Sequence, residues 1–154
     1  MAKFIKVDVK GVEEAIRFLD QTDDNIRKGS IIGLREASKY LVDKIKSKFG
    51  TYQPGWAKLA YDTVVRKVRK GQSSRPLLAT GKMKESVKAR NYTSGNRLKS
   101  TVYSDDEKII HHIFGAPRAG VPKRDPMLIT TTEEEDEITN IISNAISNEI
   151  SKGE

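Results

Sequence analysis

The isoleucines near the C-terminal end constrain the fold of this chain more than any other feature. Ile138, Ile141, Ile142, Ala145, Ile146 and Ile150 recur at three- and four-residue spacing. On a helix they share one face, opposite a face of Asn, Ser, Asp and Glu. Another element must cover such a face, so a packed, helix-containing domain follows. The spacing predicts a helix over about 133–152. Thr132 and Glu135 stand as a capping box, Glu133 to Glu137 place negative charge on the first turn, and Lys152 and Gly153 close it.

A second stripe supplies a cover. Leu34, Ala37, Leu41, Ile45 and Phe49 share one helical face, with Gly50 just beyond. They predict a long helix ending at about Phe49 and capped at its start by Asp23 or Asp24. Gly29 and Gly33 weaken its first turns by about 1 kcal/mol each, or else admit the close approach of another backbone. Ahead of it, Lys3–Val9 alternates as a strand, and Val12, Ala15, Ile16 and Leu19 fit a short helix.

The middle of the chain reads as shorter pieces. Gly50–Trp56 is a loop, and the run "KLAYDTVVRKVRKGQSSRP" starts as a short helix and decays into a mobile basic loop around 65–76. Thr80 is placed to cap one or two turns that include Met83, with Gly81 allowing a tight turn. "SVKARNY" and "RLKSTVY", separated by Thr93–Asn96, predict a hairpin. "DDEKIIHHIFG" predicts a short helix ending at Gly115, its acidic residues at the positive end. The fold class is α+β: a single domain with a small antiparallel sheet packed with a long helix in the N-terminal half and the amphipathic C-terminal helix.

Composition excludes several chemistries. The chain has 154 residues and no cysteine. Disulfides, Cys-ligated zinc and thiol catalysis are therefore absent, which suits a reducing cytoplasm. No apolar run reaches the roughly 18 residues of a membrane span, and the alternating "MAKFIKVDVKG" is unlike a secretory signal. The net charge of +7 is uneven: residues 126–154 hold seven acidic residues and one lysine, leaving +13 on residues 1–125. A basic body of this kind meets either nucleic acid or an acidic protein surface.

His111 and His112 are adjacent, so on a helix they point roughly 100° apart and cannot chelate one metal as an i, i+4 pair could. The chain has no third histidine. Ser73, Ser74, Ser86 and Thr80 lie in no nucleophile motif, and "GAPRAG" lacks the Lys-Ser/Thr of a phosphate loop. We expect no enzyme activity, cofactor or metal. The run "RKVRKGQSSR" carries Arg66, Lys67, Arg69, Lys70 and Arg75. It reads as a solvated loop or as a phosphate contact, but it lacks the interleaved aromatic residues that stack bases.

Three stretches, in order, resemble the phage virion morphogenesis (tail completion) family of Mu-like tailed phages and prophages. "GWAKLAYDTVVRKVRKG" is similar to the family's Trp-x-x-Leu-x-x-x-Thr element through Trp56, Leu59 and Thr63, with Arg66 and Lys67 following. "LLATGKMKESV" resembles its Leu-x-x-Thr-Gly-Arg-Leu-x-x-Ser-Ile element through Thr80, Gly81, Lys82, Met83, Ser86 and Val87. "HHIFGAPRAGVPKRDPML" resembles a His-x-Phe-Gly element and the proline-rich segment after it, through His112, Phe114, Gly115, Val121, Pro122, Arg124 and Leu128. Pro126-Met127, Lys108 and Lys123 depart from the family pattern. The matches span about Gly55 to Ile138.

The resemblance implies a structural virion protein with the same α+β fold, acting at the neck or head-proximal end of the tail. Its role there is tail completion or termination and head–tail joining, after assembly in the host cytoplasm. Implied partners are further copies in a ring, with a hexamer as one arrangement, together with tail-tube and head-connector proteins. DNA contact would be unspecific, and no membrane is involved. On this reading Thr80 caps, Gly115 ends the His112 helix, and the proline-rich loop holds Arg124 toward a carboxylate, either Asp125 or an acidic residue of a neighbour. The basic loop would order on docking to an acidic surface. The alternative is a basic nucleic-acid-binding protein.

Overall fold

A period of four residues organises the longest element. In the computed structural model, which describes residues 24–94 and 97–152, helix α1 spans Asp24–Lys48. Its buried positions include Gly29, Gly33, Ala37, Leu41 and Ile45, and Phe49 follows just past its end. Leu34, expected on this stripe, is only half buried; Gly33 takes its place. The expected strand Lys3–Val9, the helix around Val12–Leu19 and the Asp23 cap lie outside the described residues, as do Gly95 and Asn96 of the expected turn.

The remaining elements are α2 (Tyr61–Arg69), α3 (Lys82–Glu85), strands β1 (Val87–Ser94) and β2 (Arg97–Ser104), α4 (Lys108–Phe114), a 3-10 turn (Pro117–Ala119), α5 (Pro126–Glu133) and α6 (Glu135–Ser151). The strands form one antiparallel pair, so the fold is α+β as expected. Among the described residues no helix is long and apolar enough to cross a membrane.

The chain divides into two compact units, and α1 and the hairpin contribute residues to both. Unit 2 comprises, among the described residues, 24–42, 89–94, 97–102 and 131–152. The backbones of α1 and α6 nearly touch there. A Cβ on Gly29 would lie 2.6 Å from the Ile146 Cα, and one on Gly33 would lie 2.9 Å from the Ile142 Cα. Of the two readings of these glycines, close approach is the one the structure shows. Ile138, Ile142 and Ala145 form the buried edge of α6, as their spacing predicts. The Ser38 hydroxyl reaches Asn91 Oδ1 of β1 at 3.3 Å, and the Tyr40 hydroxyl donates to Glu134.

Unit 1 comprises 43–88 and 103–130. Ile45, Phe49, Leu77, Val87, Ile109, Ile113 and Met127 are its buried apolar side chains. The open end of the hairpin is tied here: the Ser86 and Ser104 hydroxyls lie 2.6 Å apart, and the Asp105 amide donates to the Ser86 carbonyl. Asp106 Oδ1 accepts the Lys108 amide at 3.0 Å at the start of α4, where acidic residues were expected, and Gly115 is its C-cap.

Three local expectations are corrected. The basic run does not loosen at 65: α2 continues to Arg69 and ends in a Schellman motif. Gly71, at φ +64°, donates to the Val68 carbonyl, and Gln72 donates to the Lys67 carbonyl, each at 2.9 Å. Cationic residues in the last turn suit the negative end of the helix. Thr80 does not cap α3. The N-cap position belongs to Gly81, in the left-handed region at φ +83°, and no side chain caps this helix. Nor do Thr132 and Glu135 form a capping box, because Thr132 already lies inside α5. α6 begins at Glu135, after a break at Glu134 with φ −107° and ψ 11° and no side-chain cap. α5 was not anticipated. Asp125 Oδ1 accepts the amides of Met127 and Leu128 at 3.0 Å each, and Pro126 opens the helix.

Candidate basic cleft

Helical spacing builds one wall of a cleft in unit 1. Thr63, Arg66, Lys67 and Lys70 follow one another at i, i+3, i+4 and i+7 along α2 and its cap, so their side chains share a face. The segment around α3 adds Leu77, Leu78, Thr80, Gly81, Lys82 and Met83. His112 and Lys108 of α4, with Arg124, complete a concavity of about 320 Å³. Leu77 is buried although its φ is +55°, the one non-glycine among the described residues in the left-handed region. Side chains rarely tolerate that conformation unless their surroundings hold it.

The third wall depends on how the proline-rich segment folds back. Ala116 and Val121 exchange backbone hydrogen bonds of 2.8 and 3.1 Å around the 3-10 turn, and the Arg124 amide then donates to the His112 carbonyl at 2.6 Å. The segment is a closed joint, and it returns Arg124 beside His112. Arg124 is 3% exposed. Its Nε and Nη2 donate to the Ala57 carbonyl at 3.1 and 2.7 Å, and Nη2 also approaches the Lys58 carbonyl at 3.5 Å. Asp125, the local carboxylate expected for it, instead caps α5, while the guanidinium ties down the loop after Trp56.

The electrostatics of the cleft are one-sided. Among the described residues Arg66, Lys67, Lys70, Lys82, Lys108 and Arg124 line it, against the single carboxylate of Asp106. Burial, and then the Arg124 charge, push the Lys67 ammonium below its usual range. His112 is pushed below its ordinary 6.5, first by burial and next by the Arg124 and His111 charges. Its Nδ1 is buried with no hydrogen-bond partner among the described residues. Burial also lowers Arg124. Such a site attracts anions. Among the described residues no three His, Asp or Glu side chains gather for a metal.

The site residues named from sequence separate into groups. Leu59, Thr63, Arg66, Lys67, Lys70, Thr80, Gly81, His112 and Arg124 line the cleft. Trp56 and Pro122 are half buried outside it, Phe114 is 72% exposed, and Arg69 and Arg75 are exposed away from it. Ser86 is occupied by the Met83 carbonyl, at 2.7 Å, and by Ser104. Lys82, Met83 and Lys108 are among the additional lining residues, with Leu77, Leu78 and Asp106. Lys82 and Met83 belong to the second resembling stretch; Lys108 carried no signal as a site residue. Comparison with protein-family models, curated proteins and solved structures finds no match to this chain.

Proposed function

We propose that this chain is a non-catalytic structural subunit of a tailed-phage particle. It works at the head-proximal end of the tail, in tail completion or termination and head–tail joining, as a member of a ring. The single observation behind this reading is a convergence. The three stretches that resemble the tail-completion family are separate in sequence, the third well removed from the first two, yet each contributes to the same cleft: Leu59, Thr63, Arg66 and Lys67 from the first, Thr80 to Met83 from the second, and His112 and Arg124 from the third. A ring requires different surface patches of each subunit to meet, and a concave, charged patch supplies one of them.

Negative-stain imaging tests this after deletion of the coding gene from the replicon that carries it. Free heads beside separate tails, or tails of uncontrolled length, support the reading. Complete, infectious particles at the normal yield refute it.

The cationic lining also favours a second reading, as a nucleic-acid-binding protein. Light scattering combined with a salt titration of duplex binding separates the two. A monomer with strong, steeply salt-dependent DNA affinity puts the second reading ahead.

A further inference from the structure

The cleft is not simply positive; it is also lined by apolar side chains. Leu77 is buried, and Leu59, Leu78 and Met83 are half buried, whereas Arg66, Lys70, Lys82 and Lys108 are exposed. An apolar floor therefore lies beneath a cationic rim. From this pairing we infer that the cleft receives an acidic segment of a partner protein, one that inserts an aliphatic side chain between Asp or Glu residues. This rests on the reading above, in which the cleft is an assembly surface.

Each half of the pairing bears on the occupant. A free phosphate or pyrophosphate would use the cations and leave the aliphatic floor without a role. A nucleic-acid strand would use the cations and look for stacking partners, yet among the described residues no Phe, Tyr or Trp lines the cleft. An acidic segment with a Leu, Ile or Met uses both halves: carboxylates at the rim steer and orient it, and the aliphatic anchor is desolvated on the floor. The volume of about 320 Å³ sits at the lower end of ligand-sized concavities, which suits an anchoring side chain rather than a broad interface. Leu77, held at positive φ, fixes part of that floor before any partner arrives.

The test uses the purified full chain and a fluorescein-labelled peptide, Glu-Glu-Leu-Asp-Glu-Leu-Glu, followed by anisotropy. Wild type is expected to bind it, and rising salt to weaken the binding. Serine in place of both leucines should weaken binding about tenfold or more, and glutamine in place of the acids should do the same. The double variant Lys70→Glu, Lys108→Glu replaces exposed side chains and should lose binding by about tenfold or more. If that variant proves misfolded by circular dichroism, the serine and glutamine peptides on wild type decide alone.

The inference is overturned if the serine peptide binds as well as the leucine peptide. It is also overturned if the folded double variant binds like wild type, or if oligo-dT or pyrophosphate displaces the peptide at equal or lower concentration. Peptide binding together with normal particles after gene deletion would keep the cleft's chemistry and discard its virion role. Absent peptide binding together with defective particles would do the reverse.

Discussion

The two units use glycine for opposite purposes, and the contrast shows where each gets its order. In unit 2, Gly29 and Gly33 sit inside a helix, where their conformation is ordinary and what matters is the missing side chain: α6 lies where a Cβ would be. In unit 1, Gly71 and Gly81 have open space around the position of a Cβ, and what matters is their positive φ. Unit 2 is ordered by apposed helix faces. Unit 1 adds chain reversals and polar ties to its apolar core, and among the described residues it is there that a concave, charged surface stays open. Close helix packing fills space, whereas reversals leave clefts, so a binding surface is more readily built from the second kind of order.

The largest break in this comparison should come from Gly29→Ala. In a free helix the change would stabilise by about 1 kcal/mol. Here the new methyl meets the Ile146 Cα at 2.6 Å and the Ala145 carbonyl oxygen at 2.9 Å, backbone atoms that move only with α6 itself. A loss of about 3 kcal/mol in urea unfolding is expected. Gly71→Ala, which meets nothing, should lose about 1 kcal/mol through backbone strain alone. Equal losses at the two sites would erase the distinction between the units.

Arg124→Met comes next. Methionine keeps much of the buried volume but removes the donors to the Ala57 and Lys58 carbonyls. Hydrogen bonds from charged groups contribute about 1.5–3 kcal/mol, so a loss of about 2 kcal/mol is expected. Trp56 precedes the tied carbonyls directly and is the only tryptophan. Its emission should shift to longer wavelength as the loop is released, and unchanged emission would mean that the tie does not order the loop. Because the guanidinium holds these carbonyls, a particle defect in Arg124→Ala would report stability first.

How much of this was legible follows from the range of each signal. Helical periodicity is local and repeated, so α1, α4 and α6 could be read within a few residues, as could the hairpin with its alternating strands. The break at Glu134 carries neither glycine nor proline, and "TTEEE" suits a helix interior as well as a helix start; the capping box was therefore assigned where α5 was still running. Two missed features did have local signals: Asp125 before Pro126 marks the start of α5, and Gly71 marks the end of α2. The cleft had none. Lys108 joins Lys70 and Lys82 only through the way the chain reverses, and no spacing in the sequence encodes that.

The reassigned caps make a third, smaller test. Asp125→Ala removes the acceptor of the Met127 and Leu128 amides and should cost about 1 kcal/mol. Thr80→Ala removes an exposed hydroxyl that caps nothing in α3 and should stay within about 0.5 kcal/mol. The reverse order in denaturant midpoints would restore Thr80 as the cap.

The smallest effect should be a pH dependence confined to unit 1. His112 has its folded-state pKa lowered below 6.5 by burial and by the Arg124, His111 and Lys67 charges, with Asp106 opposing. The unfolded chain therefore takes up a proton at this site at higher pH than the folded one. The stability linked to the neutral imidazole is fully present above about pH 6.5 and is lost as pH falls through the folded-state value. Urea midpoints should drop between about pH 7 and pH 5, and His112→Gln, which cannot charge, should flatten that part of the slope. His111→Gln, which removes one of the lesser charges acting on His112, should change the slope less. If both variants keep the wild-type slope, the acid sensitivity arises elsewhere. If His112→Gln flattens it most, the acid sensitivity belongs to an imidazole inside the cleft, kept neutral first by its burial and then by the neighbouring cations.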